Sequence, residues 1–96
     1  MQDRDFEWDD DKTLSNLAKH QIDFEMARLV FADPGFVDDV DDTMDYGEQR
    51  YRAVGMANGR VVTVFYTQRG ARIRIISARK PSRKEQATYA RQNPPD

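Results

Sequence analysis

The dipeptide Asn58-Gly59 lies between two stretches in which apolar residues alternate with polar ones, and it constrains the fold more than any other feature. A type I′ hairpin turn needs positive φ at both central positions, which Asn and Gly tolerate best. Residues 50–56 and 60–67 are therefore predicted to be neighbouring antiparallel strands, with the second, more apolar one at the centre of a sheet. A turn at residues 68–71 leads to a further strand at residues 72–78.

The segment before these strands predicts a short edge strand at residues 6–8 and then two helices. Asp9 or Asp10 caps the first helix, which ends near His20. Asp23 caps the second, which stops before Asp33. The first helix has a thin apolar face, formed by Leu14, Leu17 and Ala18. Residues 38–46 contain five Asp and no basic residue, which predicts a solvated loop.

Pro81 ends the last strand, Ser82 caps a final helix at residues 83–92, and residues 93–96 are predicted to be a disordered tail. A chain of 96 residues makes one domain, assigned here to residues 1–92. The order of elements predicts an α+β fold with two N-terminal helices, an antiparallel meander of three to four strands and a C-terminal helix. We expect all helices to pack on one face of the sheet.

Charge is divided unequally along the chain. The first 48 residues carry 15 acidic and 4 basic side chains, whereas the last 48 carry 2 acidic and 11 basic ones. Six cations fall between Arg72 and Lys84, and the predicted strand places Arg72 and Arg74 on one face. Such a cluster is suited to binding phosphates; the alternative is that its arginines are solvated or pair with the acidic half.

Proton-transfer groups are few. His20 is the sole histidine; it either interacts with the end of its helix or acts as a general acid or base. Glu48 either accepts a proton or pairs with an arginine such as Arg50. Trp8 is expected in the core rather than as a platform for a base.

Several other classes of site and location are disfavoured. The chain has no Cys, so neither disulfides nor thiolate metal sites are possible. The aspartates of residues 38–46 lack the spacing of a calcium loop, and no phosphate-binding glycine loop is present. We therefore expect no metal and no cofactor. The N-terminus lacks an apolar signal core, which predicts a cytoplasmic protein.

Cations with one His and one Glu, without metal or thiol, suit the cleavage of RNA. The RNA itself supplies the nucleophile, because a 2′-OH lies beside each phosphate. A protein then needs a base near that hydroxyl, cations around the developing phosphorane and an acid at the leaving oxygen.

Six segments, in order, resemble the toxin of the BrnT/BrnA type II toxin–antitoxin family. The resemblance covers residues 6 to 89, nearly the whole chain. The segments are Phe6-Glu7-Trp8-Asp9, residues 16–25, Val30-Phe31-Ala32-Asp33-Pro34, Gly47-Glu48-Gln49-Arg50-Tyr51, residues 66–70 and residues 72–80. The sequence departs from the family pattern at Gln21, where a helix-capping glycine is usual, and at Gln68 and Ala71.

The resemblance implies a RelE-like fold and a toxin that cleaves mRNA. It also implies a BrnA-like antitoxin with a ribbon-helix-helix portion, so that operator DNA is contacted only through the antitoxin; no membrane partner is expected. Taking the basic strand and these motifs together, we predict two sets of site residues. The catalytic set is His20, Glu48, Arg72 and Arg79, and the RNA-binding set is Lys12, Arg50, Arg74, Lys80 and Arg83. The alternatives are a nucleic-acid-binding module without catalysis and a structural partner in a repressor complex.

Overall fold

The computed structural model describes residues 4–42 and 47–95. The elements, in chain order, are β1 (Phe6–Glu7), α1 (Asp10–His20), α2 (Phe24–Ala27), a 3-10 turn (Arg28–Ala32), β2 (Val37–Asp41), β3 (Arg50–Ala57), β4 (Arg60–Arg69), β5 (Arg72–Arg79) and α3 (Arg83–Gln92). The α+β class is confirmed.

The described strands form one sheet in the order β1-β5-β4-β3-β2. Strands β3, β4 and β5 are the predicted antiparallel meander, and β4 lies at its centre. The predicted hairpin is confirmed, because Asn58 and Gly59 have φ values of 49° and 82°. The edge strand predicted at residues 6–8 is β1, which pairs parallel with β5. Strand β2, paired with β3, brings the sheet to five strands, more than the predicted three to four, and the sheet is mixed rather than purely antiparallel.

Strand β2 corrects the prediction of a solvated loop at residues 38–46. Its residues are mostly Asp, which disfavours a strand when the sequence is considered alone. Here the charged side chains are accommodated because β2 is an edge strand and its carboxylates have partners. Asp39 forms two hydrogen bonds with the guanidinium of Arg52, and Asp38 accepts a hydrogen bond of 2.8 Å from the Tyr66 hydroxyl. Residues 43–46 of the predicted loop lie outside the described residues.

The core lies between one face of the sheet and the segment from Ile22 to Val30. Phe24, Ala27 and Val30 are fully buried against Val62 and Val64 of the central strand. The expectation that every helix packs on this face was wrong for α3. Its Glu85 accepts a hydrogen bond from Thr63, which points to the opposite face because its neighbours in β4 point to the core. We call these the core face and the α3 face.

The helix caps follow the sequence closely. Asp9 accepts from the backbone N–H groups of Asp11 and Lys12, and Asp23 accepts from that of Met26. The second helix is shorter than predicted, because regular α-helix ends at Ala27 and continues as the 3-10 turn. Ser82 caps α3 as predicted, within a capping box completed by Glu85.

The chain end beyond α3 starts with a residue that has hydrogen-bond partners. The side chain of Asn93, the first residue of the predicted tail, donates to the carbonyls of Gly35 and Tyr89. Asp96 lies outside the described residues.

Helix α1 is oriented differently from the prediction, since Leu14, Leu17 and Ala18 are exposed. Its inward residue is Asn16, which is only 7% exposed. The Asn16 amide donates to the Ala78 carbonyl at 2.8 Å and accepts from the Ala78 N–H at 3.2 Å. Strand β1 has only two residues and does not extend along β5 as far as Ala78. The Asn16 side chain takes the place of a neighbouring strand there and satisfies the backbone N–H and carbonyl of Ala78. Sequence periodicity does not predict this role.

A β-bulge in β5 determines which way Arg79 points. Phe65 pairs with Ser77 but Tyr66 pairs with Ile75, so Ile76 is the extra residue. Ile75 and Ala78 consequently both face the core, although they are three residues apart. Strict alternation from Arg72 would have turned Arg79 towards the core. The bulge instead places it on the α3 face.

Candidate nucleic-acid interface

Two of the predicted catalytic arginines lie at opposite ends of strand β5. Arg72 is its first residue and Arg79 its last. Their Cα atoms lie roughly 20 Å apart at the ~3.3 Å rise per residue of a strand. We call these positions the Arg72 end and the Arg79 end of the sheet. The structure does not bring the two arginines to one phosphate.

The guanidinium of Arg79 is held on two sides. Nη1 and Nη2 donate to the two carboxylate oxygens of Glu85, at 2.8 and 3.0 Å, and Nη1 also donates to the Lys80 carbonyl at 2.9 Å. One face of the group lies over the ring of Phe65, 5.1 Å from its centroid. These contacts hold the Arg79 side chain in one conformation.

These contacts leave one edge of Arg79 available. A guanidinium has five N–H donors, and three of them are used by Glu85 and Lys80. The remaining two, on Nε and Nη2, lie on the same edge and have no partner among the described residues. Two parallel N–H groups on one edge match the oxygens of a phosphate.

Glu85 is the residue that fixes this arrangement. It is 9% exposed, and it accepts hydrogen bonds from Arg79, from the Thr63 hydroxyl and from the Ser82 backbone N–H. Burial by itself raises the pKa of Glu85, but these hydrogen bonds and the charge of Arg79 outweigh burial and lower the pKa to about 2. Glu85 is therefore ionised at neutral pH and is a poor proton acceptor.

Positive charge beyond Arg79 comes from the residues at which β5 passes into α3. Lys80, Arg83 and Lys84 are exposed and form no ion pair within residues 4–42 and 47–95. Together with Arg79 they make up what we call the basic junction. Since the charge of Arg79 is offset by Glu85, the three exposed cations supply the net attraction for an anion.

A groove lies beside the basic junction, between α3 and strands β2 and β3. Its volume is about 250 Å³. Its lining combines the apolar side chains of Val37 and Val54 with charged ones, namely Arg52, Lys84, Asp38, Asp39 and Glu85. The groove therefore offers apolar surface beside hydrogen-bonding groups of both charges.

One comparison with known proteins decides the family. The family model described as "Ribonuclease toxin, BrnT, of type II toxin-antitoxin system" matches residues 8–85. The chain belongs to this family. No curated protein matches the chain significantly. The matched region ends at Glu85, and so it includes Arg79 and the carboxylate that holds it.

Glu48 lies at the Arg72 end of this BrnT-family chain. Its carboxylate pairs with Arg69 at 3.5 Å, and Arg69 is the register partner of Arg72. The adjoining segment is fixed by the Thr67 hydroxyl, which donates to the Gln49 carbonyl at 2.6 Å. Of the two sequence interpretations of Glu48, the structure contains the ion pair, and the partner is Arg69 rather than Arg50.

His20 lies at the Arg79 end. It is the last residue of α1, whose Asn16 is bonded to Ala78, and Arg60 donates to the carbonyl of the following residue, Gln21, at 3.3 Å. The imidazole is partly buried. The structure thus divides His20 and Glu48 between opposite ends of the sheet, so they do not form one acid–base pair with Arg79.

The remaining predicted RNA-binding residues are dispersed. Arg74 pairs with Glu7 at 2.8 Å, and Arg50 lies opposite Asp41 in the β2–β3 pairing. Lys12 is exposed near the start of α1, eight residues from His20. Of the RNA-binding set, only Lys80 and Arg83 lie beside Arg79.

Two tyrosine hydroxyls near the sheet are engaged as donors. Tyr66 donates to Asp38, and burial together with this carboxylate raises the pKa of Tyr66. Tyr89 donates to Asp33 at 2.6 Å, and this bond raises the pKa of Tyr89 to about 12. Both hydroxyls keep their protons at neutral pH and serve to fasten elements together.

Within the described ranges, no three His, Asp or Glu side chains are grouped closely enough to hold a metal ion. The predicted aspartate cluster includes Asp45, which lies outside those ranges. In the same ranges, no helix is long and apolar enough to cross a membrane.

Sequence reasoning missed the residues that orient Arg79. Glu85 was visible as the fourth residue of the capping box that begins at Ser82, but its second role towards Arg79 carries no local signal. Thr63 and Phe65 lie on a strand whose apolar character hides the face to which they point. Register and the bulge in β5 were needed to find all three.

Proposed function

We propose that this chain is a metal-independent endoribonuclease that cleaves mRNA by attack of a 2′-OH on the adjacent phosphate. Membership of a ribonuclease toxin family supports the reaction class. The observation that carries the proposal is the unused edge of Arg79 at the basic junction, because that edge offers two fixed donors to one phosphate.

Charge stabilisation is the main contribution we assign to the site. In the transition state the phosphorane oxygens gain negative charge, and donors already fixed in place stabilise it without reorganisation. Glu85 and Phe65 fix Arg79 before RNA arrives. Lys80, Arg83 and Lys84 then hold the neighbouring phosphates.

His20 is our candidate for proton transfer, because it lies at the same end of the sheet as Arg79. A histidine can act as base towards the 2′-OH or as acid towards the leaving oxygen.

Glu48 and Arg72, at the other end, are assigned to the path of the RNA beyond the scissile phosphate. The groove beside Lys84 is assigned to a nucleobase next to that phosphate.

The partner implied by the family is an antitoxin. We propose a BrnA-like protein whose ribbon-helix-helix portion binds operator DNA and whose other portion covers the basic junction. Occlusion of exposed cations by an acidic segment would weaken as salt rises. We expect cleavage in the cytoplasm, where mRNA is found.

The test uses the purified chain and a short RNA that is cleaved at one site. Substitution of a 2′-deoxynucleotide at that site should abolish cleavage, while the same substitution elsewhere should not. Cleavage should continue in excess EDTA. Loss of activity with EDTA, restored by Mg²⁺ or Mn²⁺, would overturn metal independence and direct attention to the aspartates of residues 38–46.

Binding without cleavage is the second candidate. It is favoured by the carboxylate partners of Arg74 and Arg79, which reduce the charge available for catalysis. An RNA that is bound by the folded chain but stays intact in every buffer would establish this alternative.

A further inference from the structure

Helix α1 exposes leucines and buries a polar residue. Leu14 and Leu17 are 65% and 44% exposed, whereas Asn16 is 7% exposed. The arrangement follows from the need to satisfy Ala78 at the edge of β5, for which Asn16 must point inward. Because Leu14 and Leu17 are three residues apart, they share the outer face of the helix.

The exposed leucines line a groove rather than a flat surface. Trp8, nearly buried at 4% exposure, forms its apolar base together with Leu14 and Leu17. The groove has a volume of about 260 Å³, enough for a large apolar side chain. Trp8 is braced from within the core by an edge-to-face contact with Phe24. We call this feature the α1 groove.

The rim of the α1 groove is acidic. Asp10 stands one turn before Leu14, and Asp23 and Glu25, which follow α1 in the chain, also line the groove. Asp9 and Asp11 add two further carboxylates beside the helix start. Lys12 is a nearby cation, and Arg28 pairs with Glu25 at 3.1 Å, so the carboxylates still outnumber the cations. The surface therefore combines an apolar centre with a negative border, the reverse of the basic junction.

We propose that the α1 groove is a docking site for the antitoxin, and that it receives a segment with apolar side chains flanked by Lys or Arg. The proposal rests on the type II toxin assignment, which implies that an antitoxin exists. Charge complementarity selects the occupant: an acidic segment would be repelled by Asp10, Asp23 and Glu25, and so would RNA. The antitoxin would thus contact this chain with a basic segment here and an acidic segment over the basic junction.

The test measures the affinity of the purified chain for its cognate antitoxin. The variant is the double substitution Leu14→Gln and Leu17→Gln, which keeps helix propensity. Its matched control is Val40→Gln, which removes an exposed apolar side chain (48%) on β2, at the opposite edge of the sheet from α1. Thermal unfolding checks that each variant is folded.

We expect the Kd of the leucine variant to rise on the order of tenfold or more, from loss of two buried apolar anchors, while the control changes little. A second variant combines the substitutions Asp10→Asn and Glu25→Gln, which remove two of the rim charges. This pair should weaken binding at low salt and make affinity less dependent on salt, whereas Asp42→Asn, on the β2 side, should not.

An unchanged affinity of the folded leucine variant would overturn the proposal, and so would an equal loss in the Val40 control. If the leucine variant instead changes the oligomeric state of the chain alone, the groove receives a second copy and the proposal is also wrong. RNA cleavage by the free leucine variant should match the wild type. A wild-type chain that binds antitoxin but cleaves no RNA would contradict the proposed function while leaving this docking site standing.

Discussion

Replacing Glu85 with Gln should destabilise the protein far more than an ordinary loss of one surface charge. Glu85 lies between α3 and the sheet, where it accepts hydrogen bonds from Thr63, Ser82 and Arg79. Gln keeps the shape of the side chain but leaves the Arg79 guanidinium without its carboxylate. The basic junction and the attachment of α3 both depend on this contact.

The magnitude follows from the pKa of Glu85, which folding lowers from an ordinary value of 4.5 to about 2. A difference of this size corresponds to at most about 3 kcal/mol of stability at neutral pH. Because the folded-state pKa is the lower one, this stability is fully present above about pH 5 and is lost as the pH falls towards 2. About 2 kcal/mol of it should be gone by pH 3.

Urea unfolding followed by circular dichroism, at pH 7 and pH 3, measures the effect. At pH 7 we expect Glu85→Gln to lower the free energy of unfolding by about 2–3 kcal/mol, or roughly 10–20 °C in Tm. At pH 3 the gap between wild type and variant should shrink. The control is Glu25→Gln, whose ion pair with Arg28 is exposed and should be worth less than about 1 kcal/mol. A gap that is the same at both pH values, or no larger than the control's, would refute the reasoning.

Three further changes test other parts of the structure. Gln21 has a positive φ of 58°, so Gln21→Gly should raise the free energy of unfolding by roughly 1 kcal/mol in the same assay. Asn16→Leu should lower it by roughly 3 kcal/mol or more, because buried backbone groups at Ala78 lose their partner; a smaller loss would show that water replaces the amide. His20→Ala should slow RNA cleavage at saturating RNA, whereas Glu48→Ala should mainly weaken RNA binding, and equal wild-type rates for both would leave a site that works by cations alone.

Local signals allowed much of the fold to be predicted. The hairpin at Asn58-Gly59, the caps at Asp9, Asp23 and Ser82, and the alternation of β4 all depend on residues adjacent in sequence. Features set by distant partners were missed. Strand β2 depends on pairing with β3, and the inward position of Asn16 depends on an unpaired stretch of β5 more than 60 residues away.

In the candidate site, too, features that depend on adjacent residues were predicted, and features that depend on distant partners were not. The concentration of cations near Arg79 was evident from the sequence, since they are adjacent in the chain. The direction of Arg79 was not, because it depends on the bulge at Ile76. Nor could composition show that Glu48 and His20 lie at opposite ends of the sheet, which follows from strand register and from the position of α1.

Single-turnover cleavage of RNA by Arg79→Lys tests the central claim most directly. Lysine keeps the positive charge that Glu85 requires, so the variant should fold, but it cannot offer a second pair of fixed donors to a phosphate. The control is Arg91→Lys, since Arg91 is exposed and its side chain donates only to Thr88 among the described residues. We expect Arg79→Lys to cleave on the order of 100-fold more slowly than wild type, with the control unchanged. A folded Arg79→Lys variant that cleaves at the wild-type rate would contradict the account.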